Sequence, residues 1–317
     1  MYRAELSRTP EIRSLFISDA DLLLSYFAYQ AQLINSAWKN LEAKAWPAFS
    51  KLITWLSRTL GLDQIPIPML GGAYFTSSLY LEQFQAEIPH YYLTSADAFD
   101  ETLYWPLMAH ELAHCKLNET SHVKTALHEA RKRGVDRKLG AEACQRRLEQ
   151  VLCDVLATRL LGPAFALSFA QRLEPVFSFP LPIDEPSFQL RLECIASTLE
   201  NAELTDTAKT IRSVGQEHFE TDWNDDPLAV LKPTLIRACD DQPVLISKDG
   251  YAASMKACFP LQMEKLPSDP VLLFQTAWLS IATSVDSCSP SFVHKLSESI
   301  MANLERLPGP RDSGAQV

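Results

Sequence analysis

Apolar residues recur every three or four positions along much of the chain, the spacing of helices that each bury one face. The pattern predicts helix over 19–60, in DADLLLSYFAYQAQLINSAWKNLEAKAW and AFSKLITWLSRTL, with Gly61 as a stop. The texture then changes. IPIPML, GGAYFTSS and IPHYYLT are short, aromatic and rich in Pro and Gly, which predicts a small set of strands. Tyr91 and Tyr92 fall on one of them, expected at the sheet edge. Ser95 and Asp97 can cap the following stretch, SADAFDETLYWPLMAHELAHC, where Pro106 predicts a kink or a helix start at Trp105–Pro106. Residues 119–140 are polar. A long buried helix is predicted from 141 to about 171, interrupted at Gly162–Pro163, and SFPLPIDEP (178–186) reads as a connector. Helical spacing returns at 187–201, 205–218, 226–238, 251–258, 270–285 and 291–306, before a disordered tail, LPGPRDSGAQV. The expected class is mainly α with a small β element, an α+β fold. Four regions follow from this reading: a helical region at 1–62, a core at 63–175, a second helical region at 176–306 and the tail at 307–317.

Composition narrows the classes. A chain of 317 residues with 47% hydrophobic residues has ample material for a buried core. The net charge of −10 argues against broad nucleic-acid binding, and the basic run RKRGVDRK (131–138) reads first as a solvated face. The apolar stretch VLLFQTAWLSIATSV (271–285) is too short to span a bilayer, so no membrane association is expected. Seven scattered Cys without a C-x-x-C pair, and an N-terminus lacking an apolar signal region, fit a reducing cytoplasm.

The chemistry is concentrated in MAHELAHCK (108–116), where His110, Glu111 and His114 stand in the order H-E-x-x-H. On a helix, residues four apart share a face, so both imidazoles can address one metal ion. Glu111, one position on, can take a proton from a water held there. Leu103, Leu107, Leu112 and Leu117 give this helix an apolar setting. His122 lies eight residues beyond His114, which is the wrong spacing for a third His ligand. Cys115 and Cys153 are near enough in sequence to be ligands, but buried structural Cys is commoner.

Downstream, LEQVLCDVLATRLLGPAF (148–165) resembles the second helix of the gluzincin clan of zinc metallopeptidases, and EPSFQLR (185–191) is similar to a third block in its prenyl-protease and HtpX-like group. The resemblance implies a zincin-like active-site helix inside a multi-helical domain, a Zn2+ cofactor, a Glu ligand on the second helix and an Asp supporting the first His. Asp154 matches that Asp, and Pro186 and Arg191 match the third block. The chain departs from the pattern at Gln150, where the ligand Glu should stand, and at Glu185, where the third block has His.

Glu149 is adjacent to Gln150, yet on a regular helix Glu149 and Asp154 point about 140° apart. Three arrangements are therefore open: Glu149 as ligand through a π-bulge with Asp154 behind a His, Asp154 as ligand, or a site that has lost its third ligand. Arg191 could contact substrate or the transition state, or make an ion pair. The expected function is a cytoplasmic zinc endopeptidase with His110, His114 and Glu149 on the metal, Glu111 as general base, and a peptide or protein as substrate. The alternative is a catalytically degenerate zincin-fold protein that binds a protein partner without hydrolysis.

Overall fold

The computed structural model describes residues 44–63, 67–70, 76–77, 91–94, 102–173, 185–218, 223–258, 261, 263–283 and 289–307. The helix expected over 19–43, most of the connector before Glu185 and the tail beyond 307 lie outside them. Among the described residues the chain is mainly α-helical. The order is α1 (Trp46–Thr59), β1 (Ile67–Leu70), β2 (Thr76–Ser77), β3 (Tyr91–Thr94), a 3-10 turn (Thr102–Leu107), α2 (Met108–Glu119), α3 (His122–Lys132), α4 (Val135–Leu139), α5 (Ala141–Leu161) and α6 (Pro163–Leu173). It continues with α7 (Phe188–Asn201), α8 (Thr205–His218), α9 (Lys232–Arg237), α10 (Lys248–Ala257), α11 (Pro270–Thr283) and α12 (Pro290–Leu304). The three extended segments are ordered β1-β3-β2, with β1 parallel and β2 antiparallel to β3. Tyr91 and Tyr92 thus lie on the middle strand and not at an edge, because β3 is paired on both sides. No described helix is long and apolar enough to cross a membrane.

Local chemistry explains where the site-bearing helices begin and end. Pro106 lacks a backbone N–H and sits in the 3-10 turn, so the regular helix α2 starts just after it, at Met108. Helix α5 is bounded by glycines: Gly140 at φ 84° and Gly162 at φ 52°, both conformations that side chains other than Gly adopt at a cost. Pro163 then fits the first turn of α6, where no intrahelical N–H is needed. At the start of α7 the Ser187 hydroxyl accepts from the Leu190 N–H, a side-chain N-cap.

Two buried clusters fix the position of α2 and α5. The larger draws Phe49, Leu52 and Leu56 from α1, Met108 and Leu112 from α2, Ala157 and Leu160 from α5, Phe165 from α6, Ile195 from α7, Phe274 from α11 and Ile300 from α12. Residues of both helical regions and of the 63–175 core region read from the sequence therefore share one buried cluster. The second joins Ala113 and Leu117 of α2 to Leu148, Val151, Leu152 and Val155 of α5, with Leu190, Leu235 and Cys239. Burial of each such Leu, Val or Phe contributes about 1.5–3 kcal/mol. Helix α2 is held between the two clusters and lies along α5, and α5 in turn packs on α7. The polar side chains between α2, α5 and α7 are enclosed by this packing. The basic run 131–138 is largely exposed around the α3–α4 junction.

Candidate metal centre

Buried residues in α2 include His110 and Glu111, each 8% exposed, while His114 one turn on is partly buried. The two imidazoles meet edge to face with centroids 5.0 Å apart. Across from them, α5 presents Glu149, Gln150, Cys153 and Asp154. Helix α5 is regular α-helix throughout 141–161, so the bulge expected around 149–154 does not occur.

The helix needs no bulge because the two carboxylates do not converge on one point. They reach different rings. Asp154 Oδ1 accepts from His110 Nδ1 at 2.8 Å, and Glu149 Oε1 accepts from His114 Nδ1 at 2.7 Å. At 100° per residue, taking Glu149 as zero, Cys153 lies at about 40°, Gln150 at about 100° and Asp154 at about 140°. The carboxylates stand at the two flanks of this arc and clasp the two rings. Cys153 and Gln150 stand in the middle, facing the gap. His110 and His114 ring nitrogens and Cys153 Sγ come within 4.8 Å of one another, and this cluster could hold a metal ion. Gln150 Oε1 is 3.1 Å from His110 Nε2.

Glu149 accepts from His114 Nδ1 here, whereas the sequence reading put it on the metal. Asp154 holds a His as the resemblance implied, and it is itself held by Arg191. The Arg191 Nε donates to Oδ2 at 2.6 Å and Nη2 to Oδ1 at 2.9 Å, with Asp154 fully buried. Arg191 Nη1 lies 4.0 Å from Glu185, and the guanidinium sits 4.7 Å from the Phe169 ring centre. Of the two roles open to Arg191, the structure displays the ion pair. Among the described histidines, two have partners elsewhere: His122 lies 2.9 Å from Asp241, and His294 is exposed near Glu298. His90 and the side chain of His218 lie outside the description.

The electrostatics follow from enclosure. Burial raises the pKa of Asp154, but the Arg191 and His110 charges and hydrogen bonds outweigh it, and the net shift is downward. Asp154 is thus an anionic acceptor and His110 Nδ1 must be the donor. Burial lowers the His110 pKa overall. With Nδ1–H given to Asp154, neutral His110 carries its lone pair on Nε2, the form a metal requires. For His114 burial also pulls downward, but the Glu149 hydrogen bond and the Glu111 and Glu149 charges more than offset it. Desolvation pushes Glu111 up to about 7 and the Cys153 thiol well above its usual range.

These residues fit a divalent cation. Glu111, Glu149 and Asp154 bring three carboxylates against one guanidinium, and two rings have their Nδ1 edges fixed by carboxylates as metal-bound histidines do. The spacing i, i+1, i+4, i+5 over 149–154 was visible in the sequence, and it marks one helical face. Comparison with known proteins finds no family model, no curated protein and no solved structure that matches the chain.

Proposed function

We propose that this chain is a zinc-dependent endopeptidase with a gluzincin-like, zincin-type site. The observation that carries the reading is the His110–His114 pair, each ring fixed at Nδ1 by a carboxylate of α5, with Glu111 buried next to it. His110 and His114 would hold the zinc, with a third position filled from α5. Zinc, when bound, polarises a carbonyl and lowers the pKa of the attacking water to roughly 7. Glu111 would take a proton from the attacking water and pass it to the leaving amine. Asp154 and Glu149 keep the rings in register, and the clusters on either side of α2 exclude bulk water. The six described cysteines are buried free thiols, which supports a reducing compartment such as the cytoplasm.

Glu111→Gln tests this reading. The variant keeps its metal, because Glu111 is not a ligand, while hydrolysis of a peptide library falls by about a hundredfold to ten-thousandfold or more. Equal cleavage by both proteins would remove Glu111 from the mechanism. A second reading, a partner-binding protein without hydrolysis, is favoured by Gln150, an amide where the gluzincin pattern has a ligand carboxylate. It predicts that the wild type cleaves no peptide.

A further inference from the structure

We infer that the third protein ligand of the metal is the Cys153 thiolate, and that Glu149 and Asp154 both act by orienting the histidines. The inference rests on the metal-site reading above and deepens it. Four side chains of α5 reach the His pair, and the geometry sorts them. An imidazole presents Nδ1 and Nε2 on diverging edges. A group bonded to Nδ1 therefore lies away from an ion bound at Nε2. Glu149 is committed to Nδ1 of His114 at 2.7 Å. Asp154 is committed to Nδ1 of His110 at 2.8 Å and to Arg191 through both oxygens. Recruiting either carboxylate to the metal would strip a ring of its acceptor. In the case of Asp154 it would also disturb a buried ion pair, whose disruption is costly.

Gln150 and Cys153 remain in the middle of the arc. Gln150 offers a neutral amide oxygen, a weak donor toward zinc beside thiolate, imidazole or carboxylate. Cys153 Sγ lies within the 4.8 Å cluster formed with both His nitrogens. A coordinating cation deprotonates a thiol outright, so an inert buried Cys becomes an anionic ligand when the ion enters. Two imidazoles and one thiolate reduce the charge of a divalent ion to +1, as the expected carboxylate would. The change is in kind. A sulfur ligand selects borderline-soft ions such as zinc, cobalt or ferrous iron over magnesium, calcium or manganese. The site is also one that oxidation of a single sulfur would open.

Cobalt substitution reads the ligand directly and independently of activity. Full-length protein is stripped with a chelator and titrated with Co2+. We expect one Co2+ per chain, with an intense near-ultraviolet thiolate-to-cobalt charge-transfer band. Cys153→Ser should lose the band and weaken binding by more than the roughly 10- to 100-fold expected for the orienting carboxylates. Glu149→Gln and Asp154→Asn should keep the band at reduced affinity. Cobalt bound by wild type without the band, or a band that persists in Cys153→Ser, overturns the assignment. The wild-type spectrum alone can do so even if the variant folds poorly. A folded wild type that binds neither cobalt nor zinc overturns the metal-site reading itself.

Discussion

Arg191 grips Asp154 through two parallel hydrogen bonds, Nε to Oδ2 at 2.6 Å and Nη2 to Oδ1 at 2.9 Å, where Asp154 has no exposed surface. The pair joins α7 to α5 and fixes the carboxylate that holds His110. A chain of three side chains thus runs from Arg191 on α7 through Asp154 on α5 to His110 on α2.

That chain predicts a double effect of Arg191→Ala. A buried carboxylate left without its partner destabilises the fold by about 3–5 kcal/mol, measurable by urea unfolding. The released Asp154 also holds His110 less firmly, and zinc affinity should fall by about 10- to 100-fold in a competition titration. Arg191→Lys should recover only part of either loss, because an ammonium cannot form the planar two-bond grip. In Asp154→Ala/Arg191→Ala the two costs should fall well short of additive. An Arg191 whose sole role is substrate contact would leave stability and metal affinity unchanged in Arg191→Ala.

Many of the helices were legible because their signals are local, although the helix expected over 226–238 is α-helical only at Lys232–Arg237 and the polar 119–140 stretch holds α3 and α4. Thr205–His218 matches the spacing read from the sequence, and the break at Gly162–Pro163 needs only the chemistry of Gly and Pro. The two histidines were legible for the same reason, since i and i+4 share a face. The facing residues were harder. Which ring Glu149 and Asp154 approach depends on how α2 lies across α5, and that is set by packing of residues such as Ala113, Leu148 and Leu152. Reading the site as one point forced both carboxylates to converge and demanded a bulge. With two rings side by side, a regular helix meets both, and the 140° that looked like a conflict is the span of the clasp. Cys153 reads from the sequence as a structural residue, because burial is the ordinary state of a Cys and sequence alone does not show what a buried thiol faces.

A second charged cluster, away from the metal face, predicts acid sensitivity. Glu193 accepts from Arg212 Nε at 2.7 Å and from Lys232 Nζ at 2.7 Å. Arg212 also binds Glu200, and Lys232 lies 4.4 Å from the Trp223 ring centre. Burial raises the Glu193 pKa, but the Arg212 and Lys232 hydrogen bonds and charges prevail, and the folded value lies below 4.5. A depressed carboxyl pKa contributes stability that is present above the unfolded value and lost as pH falls through the folded one. Glu193→Gln should therefore be less stable than wild type at neutral pH, and the gap should begin to shrink as pH falls through about 4.5 and vanish only below the lower folded value. Unfolding midpoints across an acid series would check this. A gap that persists unchanged into acid would mean that packing, not ionisation, carries the effect.

The junction between α5 and α6 gives the sharpest steric prediction. Gly162 has φ 52° and ψ −125°, a conformation close to that reserved for glycine. A Cβ placed there would lie 2.4 Å from Ile246 Cγ2 and 3.2 Å from Ile246 Cβ. The Ile246 segment cannot easily withdraw, since Leu245 N–H donates to Arg159 O at 3.1 Å and Arg159 Nη2 donates to Gln242 O at 3.1 Å. Backbone strain of about 1–3 kcal/mol and an overpacking cost of about 1–3 kcal/mol then act together in Gly162→Ala. Urea unfolding should show a combined loss of about 2–6 kcal/mol. Trimming the neighbour separates the two parts. In Gly162→Ala/Ile246→Ala the clash is relieved while the dihedral strain stays, so the double variant should be less destabilised than the sum of its singles. Cobalt or zinc affinity should not move, because Gly162 lies two turns beyond Asp154 and contacts none of the site residues. A Gly162→Ala protein as stable as wild type would require the α5–α6 turn to be built differently from the one described.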